Sequence, residues 1–301
     1  MFLVSGTELV IESCKNGVCG TLPALNGRTP EDFEKMLKAI TKELSLFKTT
    51  TGKDPAPFGV NLILNKTNSR IEEDLGLCIK YKVPLIITSL GAVKDVVDRV
   101  HDYGGLVFHD VIKKRHAEKA AEAGVDGIIA VCAGAGGHGG TASPFALLKE
   151  IATFFNGLLI LAGGMSTGAD ILAAQIMGAD LAYMGTRFIS TRESLAQPIY
   201  KKRLTQIGLE DIIYTDKITG VSANFIKDTL PKIDANHSSG STADPSSLED
   251  KNHKAWKDIW SAGHGAVGIQ DIPKVKELIS RLKSDYDLAI NKGYHRLKNT
   301  P

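Results

Sequence analysis

The sequence predicts an α/β protein, a TIM-type (β/α)8 barrel whose first strand is short or missing, with a small, mostly helical C-terminal extension. Short, continuous apolar runs recur between about residues 18 and 190, and amphipathic segments separate them. Such runs are typical of a parallel sheet covered by helices. The 301 residues suffice for one barrel of about 250 residues and a small appendage.

Seven strands are predicted, in the runs GVCGTLPAL (17–25), FGVNLIL (58–64), PLIITS (84–89), GLVFHDV (105–111), GIIAVCA (127–133), LLILAGG (158–164) and LAYMGTRFI (181–189). After the first run, Thr29 and Pro30 are typical of a helix N-cap and first turn. A closed barrel needs an eighth strand, and residues 1–4 suit only its end. We therefore expect a natural chain that begins further upstream, or a very short first strand.

The pattern changes after Arg192, and we predict three parts. Residues 1–192 form the barrel core. Residues 193–260 form a helical insertion or lid, with helices and an irregular connector over 193–230 and a polar, flexible loop at about 232–254. Residues 261–301 form a loop that returns to the site and a C-terminal helix.

Composition excludes several classes of function. The 36 basic and 34 acidic residues leave a net charge of +2, so no basic footprint for nucleic acid is present. No apolar run approaches the roughly 18 residues of a membrane span. The cysteines, Cys14, Cys19, Cys78 and Cys132, have no metal-ligand spacing. We predict a cytoplasmic protein with reduced thiols and no metal site.

Two glycine turns follow the last two predicted strands and indicate a phosphate-bearing ligand. Gly163 and Gly164 end one strand, and a helix begins near Thr167 or Gly168. The next strand ends at Gly185 and Thr186. Backbone N–H groups at such turns and at a helix N-terminus bind anions, and barrel enzymes use these two loops for phosphate. The alternative is that these glycines only make tight turns.

A third glycine-rich loop has five glycines between Gly134 and Gly140, and His138 lies among them. The G-x-G-x-x-G match from Gly134 to Gly139 lacks the acidic residue that a dinucleotide fold places after the next strand. We therefore expect a loop lying flat against a planar ligand, with His138 as general base or hydrogen-bond donor. A purely structural His138 is the alternative.

The runs GAGGHGGT, LAGGMSTGADILAAQIMGADLAYMGTRFISTRES and WSAGHG together resemble the nitronate monooxygenase family, formerly 2-nitropropane dioxygenases, which are FMN-dependent barrels. The resemblance implies that His138 abstracts the α-proton of a nitroalkane or contacts the nitronate. It places His264 near the pocket as well. The FMN-binding residues that it implies are Met1, Asn61, His109, Gly136, Gly137, Ala162, Gly163, Gly164, Met184, Gly185, Thr186 and Gly263.

One position departs from that family. Many relatives carry Lys after the histidine that corresponds to His109, where the Lys balances negative charge on the reduced flavin. This chain has Asp110 at that position. His109, Lys113 or a helix dipole replaces that cation, or the flavin potential and the reaction differ. Alternatively, Asp110 only caps the following helix.

The resemblance implies oxidation of an alkyl nitronate, such as propionate 3-nitronate, by O2 to a carbonyl compound and nitrite. Three alternatives stay open. These are an FMN-dependent NAD(P)H:quinone reductase, an enoyl-thioester reductase, and a barrel that binds a phosphate ligand without redox chemistry. The expected partners are the small substrate and O2, and a homodimer is left open.

Overall fold

The computed structural model describes residues 1–65, 67–91, 94–230, 249–250, 253–254 and 258–298. Most of the loop expected at 232–254 lies outside these residues. The exceptions are two short strands that pair with each other, β11 (Glu249–Asp250) and β12 (His253–Lys254).

A curled sheet of seven parallel strands forms the centre of the molecule and confirms the predicted fold class. Its order is β1-β2-β3-β4-β5-β7-β8. The strands are β1 (Gly20–Pro23), β2 (Phe58–Ile63), β3 (Leu85–Ser89), β4 (Leu106–Val111), β5 (Gly127–Val131), β7 (Leu158–Ala162) and β8 (Leu181–Tyr183). Each lies within a predicted run.

The two edge strands of this sheet meet through side chains. A hydrogen bond of 3.0 Å joins the Thr21 hydroxyl on β1 to the Tyr183 hydroxyl on β8. The first residues of the chain form a turn instead of a strand, because the Val4 and Ser5 amides donate to the Met1 carbonyl oxygen. The curled sheet therefore approaches closure with seven strands, and the end of an additional strand expected at residues 1–4 is not formed.

Helices cover the outside of the sheet, as the amphipathic segments predict. They are α1 (Thr7–Lys15), α2 (Pro30–Thr51), α3 (Ile71–Lys80), α4 (Lys94–His101), α5 (Lys114–Glu122), α6 (Pro144–Ala152), α7 (Gly168–Ile176), α8 (Thr186–Ile189), α9 (Pro198–Leu204) and α10 (Val275–Lys298). Short 3-10 helices occupy Ala24–Asn26, Leu209–Asp211, Lys227–Thr229 and His264–Gly268. None of the helices within the described ranges is both long and apolar enough to cross a membrane.

Side chains alternate between two cores, as expected for strands with a period of two. The larger core lies between sheet and helices and contains Val60, Ile86 and Ile128. The smaller core fills the barrel and contains Ile87 and Ile129. Because residues of one parity face the helices and those of the other face inward, the inner face of each strand end is defined.

Local signals set the helix ends. The Thr29 hydroxyl accepts from the Asp32 amide at the start of α2, with Pro30 in its first turn, as predicted. Helix α7 begins at Gly168, where the sequence places a helix start, and a capping box between Thr167 and Asp170 closes its first turn. Such reciprocal bonds satisfy amides that a helix start leaves without partners.

The C-terminal segment contains more than the predicted helix and connector over 193–230. Helix α9 lies there, and so do two strands that the sequence pattern does not predict, β9 (Ile212–Thr215) and β10 (Ala223–Ile226). Strand β10 pairs antiparallel with β9 and with β6 (Gly137–His138) in the glycine-rich loop. This small sheet connects the extension to the carboxyl ends of the barrel strands.

Helix α10 packs against α7 so closely that only glycine fits between them. A Cβ at Gly168 would overlap the backbone of Leu282 and Tyr286 on α10. By contrast, a Cβ at Gly76 within α3 would meet no atom within 4 Å. The two helical glycines therefore serve different purposes.

We expect Gly168→Ala to lower the free energy of unfolding by about 2–3 kcal/mol or more, because the added methyl group meets rigid backbone. The matched variant Gly76→Ala should raise it by up to about 1 kcal/mol through helix propensity. Urea denaturation measures both values. Equal effects of the two substitutions would contradict the close approach of α7 and α10.

Candidate active site

A chain of hydrogen bonds crosses the inner face of the barrel at the carboxyl ends of three neighbouring strands. The Asn61 side-chain amide on β2 donates to the Ser89 hydroxyl on β3 over 2.8 Å. The Ser89 hydroxyl donates to a carboxyl oxygen of Asp110 on β4 over 2.5 Å. Inward side chains at this end of a barrel meet any ligand in its mouth. Asn61 therefore occupies a position suited to the predicted ligand contact.

Burial changes the protonation of the inward groups. It raises the pKa of Asp110 to about 6, although the bond from Ser89 opposes this change. It also raises the pKa of Tyr183 to about 12, with a smaller contribution from the negative charge of Asp110. The mouth thus contains a carboxyl group that titrates near neutrality and a neutral phenol.

His109, the residue before Asp110, faces the opposite way. Its Nδ1 lies 2.8 Å from the Thr88 hydroxyl, which also donates to the Phe108 carbonyl oxygen over 3.1 Å. The Thr88 oxygen then accepts from His109, so Nδ1 carries the proton. Burial lowers the pKa of His109 to about 4, helped by the positive charge of His116. The ring is neutral at pH 7 and lies among the helices.

This orientation corrects two expectations. His109 does not join the inward cluster at the mouth, because its side chain has the outward parity on β4. Asp110 does not cap the next helix either, since α5 begins at Lys114 after Lys113 and has no side-chain cap. The inward position on β4 belongs to Asp110.

Three loops at the mouth are joined through one carbonyl group. The Gly134 oxygen accepts from the Gly164 amide over 3.2 Å and from the His264 amide over 2.8 Å. The loops after β5 and β7 and the returning segment near residue 263 therefore meet backbone to backbone.

Several glycines of these loops are required by contacts within the protein. A Cβ at Gly136 would lie 2.7 Å from the Gly263 nitrogen, and a Cβ at Gly263 would lie 2.5 Å from the Gly134 oxygen. A Cβ at Gly163 would lie 3.0 Å from the Cys132 oxygen. Within the 134–140 loop, Gly134, Gly136 and Gly140 thus accommodate neighbouring segments of the protein, so their presence does not by itself indicate a flat ligand.

His138 lies at the edge of this assembly on β6, opposite Ala223 of β10. Its Nε2 is 3.4 Å from the Thr219 hydroxyl, which donates to the Val221 carbonyl oxygen over 2.8 Å. The Thr219 oxygen is thereby placed to accept from Nε2–H. The residue is exposed, yet the protein atoms around its ring lower the pKa of His138 below the ordinary value. The His138 imidazole at the mouth is therefore neutral at pH 7.

Open space remains at one of the predicted phosphate turns. Gly163 and Gly164 both have positive φ, and a Cβ at Gly164 would meet no atom within 4 Å. Part of the start of α7 is already occupied, because the Asp170 carboxylate accepts from the Ser166 and Thr167 amides and the Thr167 hydroxyl accepts from the Asp170 amide. The capping box thus replaces part of the expected helix contribution.

The other predicted turn lies beside the first residue of the chain. A Cβ at Gly185 would lie 3.5 Å from the Met1 Cγ. The Thr186 hydroxyl accepts from the Gly263 amide over 2.9 Å, which connects this turn to the returning loop. Met1, Gly185 and Gly263 therefore lie in one region, as the resemblance implies.

Two of the remaining predicted positions lie at this mouth, and one does not. Ala162 belongs to the inner core, and Gly137 lies on β6 beside His138. The partly buried Met184 packs against the outer core instead, which corrects the expectation that it contacts the flavin. Four polar residues of the region were not predicted, namely Thr21, Ser89, Tyr183 and Thr219. The signal for Ser89 and Tyr183 was their place as polar residues at the ends of apolar strands, although the sequence does not show that they face inward.

The fold and this mouth define a parallel (β/α) barrel with a ligand site at the carboxyl ends of its strands. The family model described as nitronate monooxygenase matches residues 25–285. The chain belongs to the nitronate monooxygenase family. The members of this family are flavin-dependent oxidoreductases, and the match confirms the family predicted from the sequence.

The relatives have different names. The chain is 26% identical to a probable nitronate monooxygenase of Staphylococcus haemolyticus, over 88% of this chain and 78% of that protein. It is 28% identical to the (3aS,4S,5R,7aS)-5-hydroxy-7a-methyl-1-oxo-octahydro-1H-indene-4-carboxyl-CoA dehydrogenase of Mycobacterium tuberculosis, over 75% of this chain and 61% of that protein. The chain thus spans about three fifths of the latter's length.

The fold is similar to that of FabK from Thermotoga maritima. The TM-score is 0.80 at 23% identity, and the alignment covers 98% of this chain and 93% of that one. At this identity the likeness concerns the fold.

The lowered pKa of His109 leads to a prediction about stability in acid. The pKa of His109 is about 4 in the folded protein against 6.5 ordinarily. Acidification through this interval protonates the unfolded chain first, so His109 should reduce the free energy of unfolding by up to about 3 kcal/mol. We expect His109→Gln to lose less stability than the wild type between these two pH values, as measured by urea denaturation. An identical loss in both proteins would contradict a buried, neutral His109.

Proposed function

We propose that the chain binds FMN and oxidises alkyl nitronates, such as propionate 3-nitronate, with O2 to a carbonyl compound and nitrite. The observation that carries the proposal is the position of His138, an imidazole with a lowered pKa held at the mouth by β10. Membership of the family supplies the reaction class.

The residues of the mouth fit FMN in two respects. Space remains at the turn of Gly163 and Gly164, since a Cβ at Gly164 would meet no atom within 4 Å, and the turn at Gly185 and Thr186 follows the neighbouring strand β8. Because the Gly164 amide donates to the Gly134 oxygen, the other amides of these two turns would hold the phosphate. The inward side chains Asn61, Ser89 and Asp110 supply polar groups of the kind that an isoalloxazine ring binds through its own donors and acceptors. FMN, when bound, supplies the electron transfer between substrate and O2.

His138 would act on the proton of the substrate. Thr219 is placed to accept from Nε2–H, so the Nδ1 atom of the neutral ring does not carry the proton. The lowered pKa keeps the imidazole neutral at pH 7, which a base requires before it accepts a proton. A nitronate that is already deprotonated needs His138 only as a hydrogen-bond partner.

A second candidate is a flavin-dependent oxidoreductase of a CoA thioester. Two curated relatives, each 28% identical to this chain, are named as indene-carboxyl-CoA dehydrogenases. The enoyl-thioester reductase weighed from the sequence belongs to the same substrate class. On this reading the mouth receives the acyl end of the thioester.

Two measurements distinguish these functions. Titration of the purified protein with FMN and with FAD, followed by visible absorption, tests the cofactor. Anaerobic mixing of the flavin-loaded protein with propionate 3-nitronate, an acyl-CoA or NAD(P)H then shows which compound bleaches the flavin. Bleaching by NAD(P)H or acyl-CoA alone would refute nitronate oxidation.

We expect His138→Asn to lower kcat/KM for a neutral nitroalkane by about 100-fold or more, because proton abstraction loses its base. For a preformed nitronate the loss should be about tenfold or less, since only a hydrogen bond changes. His101→Asn, at the opposite ends of the strands, is the matched control and should leave both values unchanged. Equal losses for both substrates would count against His138 as a base.

The pH profile gives an independent check. Because the pKa of His138 is lowered, the midpoint of the acid limb of kcat/KM for a neutral nitroalkane should lie below the ordinary value of 6.5. Steady-state rates measured at several pH values on both sides of 6.5 locate this midpoint. A midpoint at or above the ordinary value would contradict the lowered pKa.

A further inference from the structure

Asp110 is a carboxyl group in the mouth that the proposed proton abstraction does not use. It lies on the inner face of β4, and Ser89 donates to only one of its two oxygens. Ser89 is itself held by Asn61, so three neighbouring strands fix the carboxyl group in place. A group positioned this firmly in a mouth that opens to ligand has the geometry of a functional residue.

The surroundings of Asp110 contain no opposing cation within the described ranges, where no ion pair includes it. The inner faces of β5 and β7 present Val131, Ile129 and Ala162, which carry no charge. Across the mouth, β8 presents the neutral Tyr183 phenol, bonded to Thr21 of β1. His109 faces the other side of the sheet.

We propose that the Asp110 carboxyl group borders the flavin ring in this mouth and takes up one proton from water when the flavin is reduced. The proposal rests on the proposed flavin-dependent function. The electrons come from the organic substrate, or from dithionite in the experiment below. The proton forms an O–H bond on the carboxyl group, and no covalent bond forms between protein and flavin.

The direction of the effect follows from electrostatics. Burial already raises the pKa of Asp110 to about 6. Negative charge added to a neighbouring ring disfavours the carboxylate and raises this pKa further. Asp110 thus has one pKa beside the oxidised flavin and a higher pKa beside the reduced flavin. At a pH between these two values, reduction of the flavin is accompanied by proton uptake at Asp110. Ser89 stabilises the carboxylate, so removal of its hydroxyl should raise both values.

The experiment measures the midpoint potential of the bound FMN against pH, by anaerobic dithionite titration of the loaded protein. In the wild type we expect a steeper decrease of potential with pH above about 6 than in Asp110→Asn, by one proton per two electrons. The asparagine variant should also be easier to reduce at pH 8, because a negative charge is removed.

Two further variants separate this effect from general damage. Ser89→Ala should keep the steep region and shift its beginning to higher pH, which also tests the proposal if Asp110→Asn fails to fold. Asp126→Asn removes a carboxyl group that accepts from the Val107 amide at the amino end of β4, and should leave the profile unchanged.

The outcomes are distinct. Identical slopes for the wild type and Asp110→Asn, or a profile of Ser89→Ala that does not shift from that of the wild type, would overturn the role of Asp110 while the flavin-dependent function stands. A change of slope in His109→Gln and none in Asp110→Asn would overturn it as well and return the ring contact to His109. Failure of the wild-type protein to bind FMN or FAD would overturn both proposals together.

Discussion

The backbone carbonyl group of Gly134 is the interaction on which the candidate site depends. Its oxygen accepts from two amides, one in the turn after β7 and one in the segment that returns after residue 262. Such an approach of three backbones leaves no room for a Cβ at Gly136 or Gly263. The loop after β5 is thereby held in place, and β6 with His138 follows it directly.

The small sheet β6-β10-β9 extends this constraint to the C-terminal extension. Asn224 on β10 donates to the Ala135 carbonyl oxygen over 2.7 Å, and Tyr214 on β9 donates to the Gly139 oxygen over 2.8 Å. The glycine-rich loop is thus bonded on one side to the barrel and on the other to the extension. The position of His138 depends on both, although the three parts are far apart in the sequence.

Much of the fold could be predicted from the sequence, because continuous apolar runs and helix caps are local signals. Strands β9 and β10 could not, since each has four residues and β10 pairs with a two-residue strand in a glycine-rich segment far away in the sequence. The opposite directions of His109 and Asp110 also escaped, because a strand pattern shows alternation but not which parity faces inward when both faces are buried. Asp170 three residues after Thr167 was, however, a readable signal of the capping box.

The glycines show a further limit of the sequence. Their abundance indicates that something approaches the backbone closely. The sequence does not show whether this is a ligand or a neighbouring loop, because both need a position without a side chain. The structure separates the cases: Gly136 and Gly263 face other loops, whereas Gly164 faces open space. Only a glycine that faces open space, as Gly164 does, supports the hypothesis of a ligand. The argument for a phosphate site therefore rests on fewer positions than the sequence suggests.

The direction of electron flow links Asp110 to the choice among the proposed functions. A carboxylate beside a flavin opposes the negative charge of reduction, so it lowers the potential and favours transfer onward to an acceptor such as O2. A cation at the same place would retain the electrons more strongly. Since this mouth contains a carboxyl group and no ion pair for it within the described residues, a flavin bound beside it would be harder to reduce and easier to reoxidise, so Asp110 opposes the withdrawal of electrons from the substrate and favours their transfer to the acceptor in either of the proposed reactions.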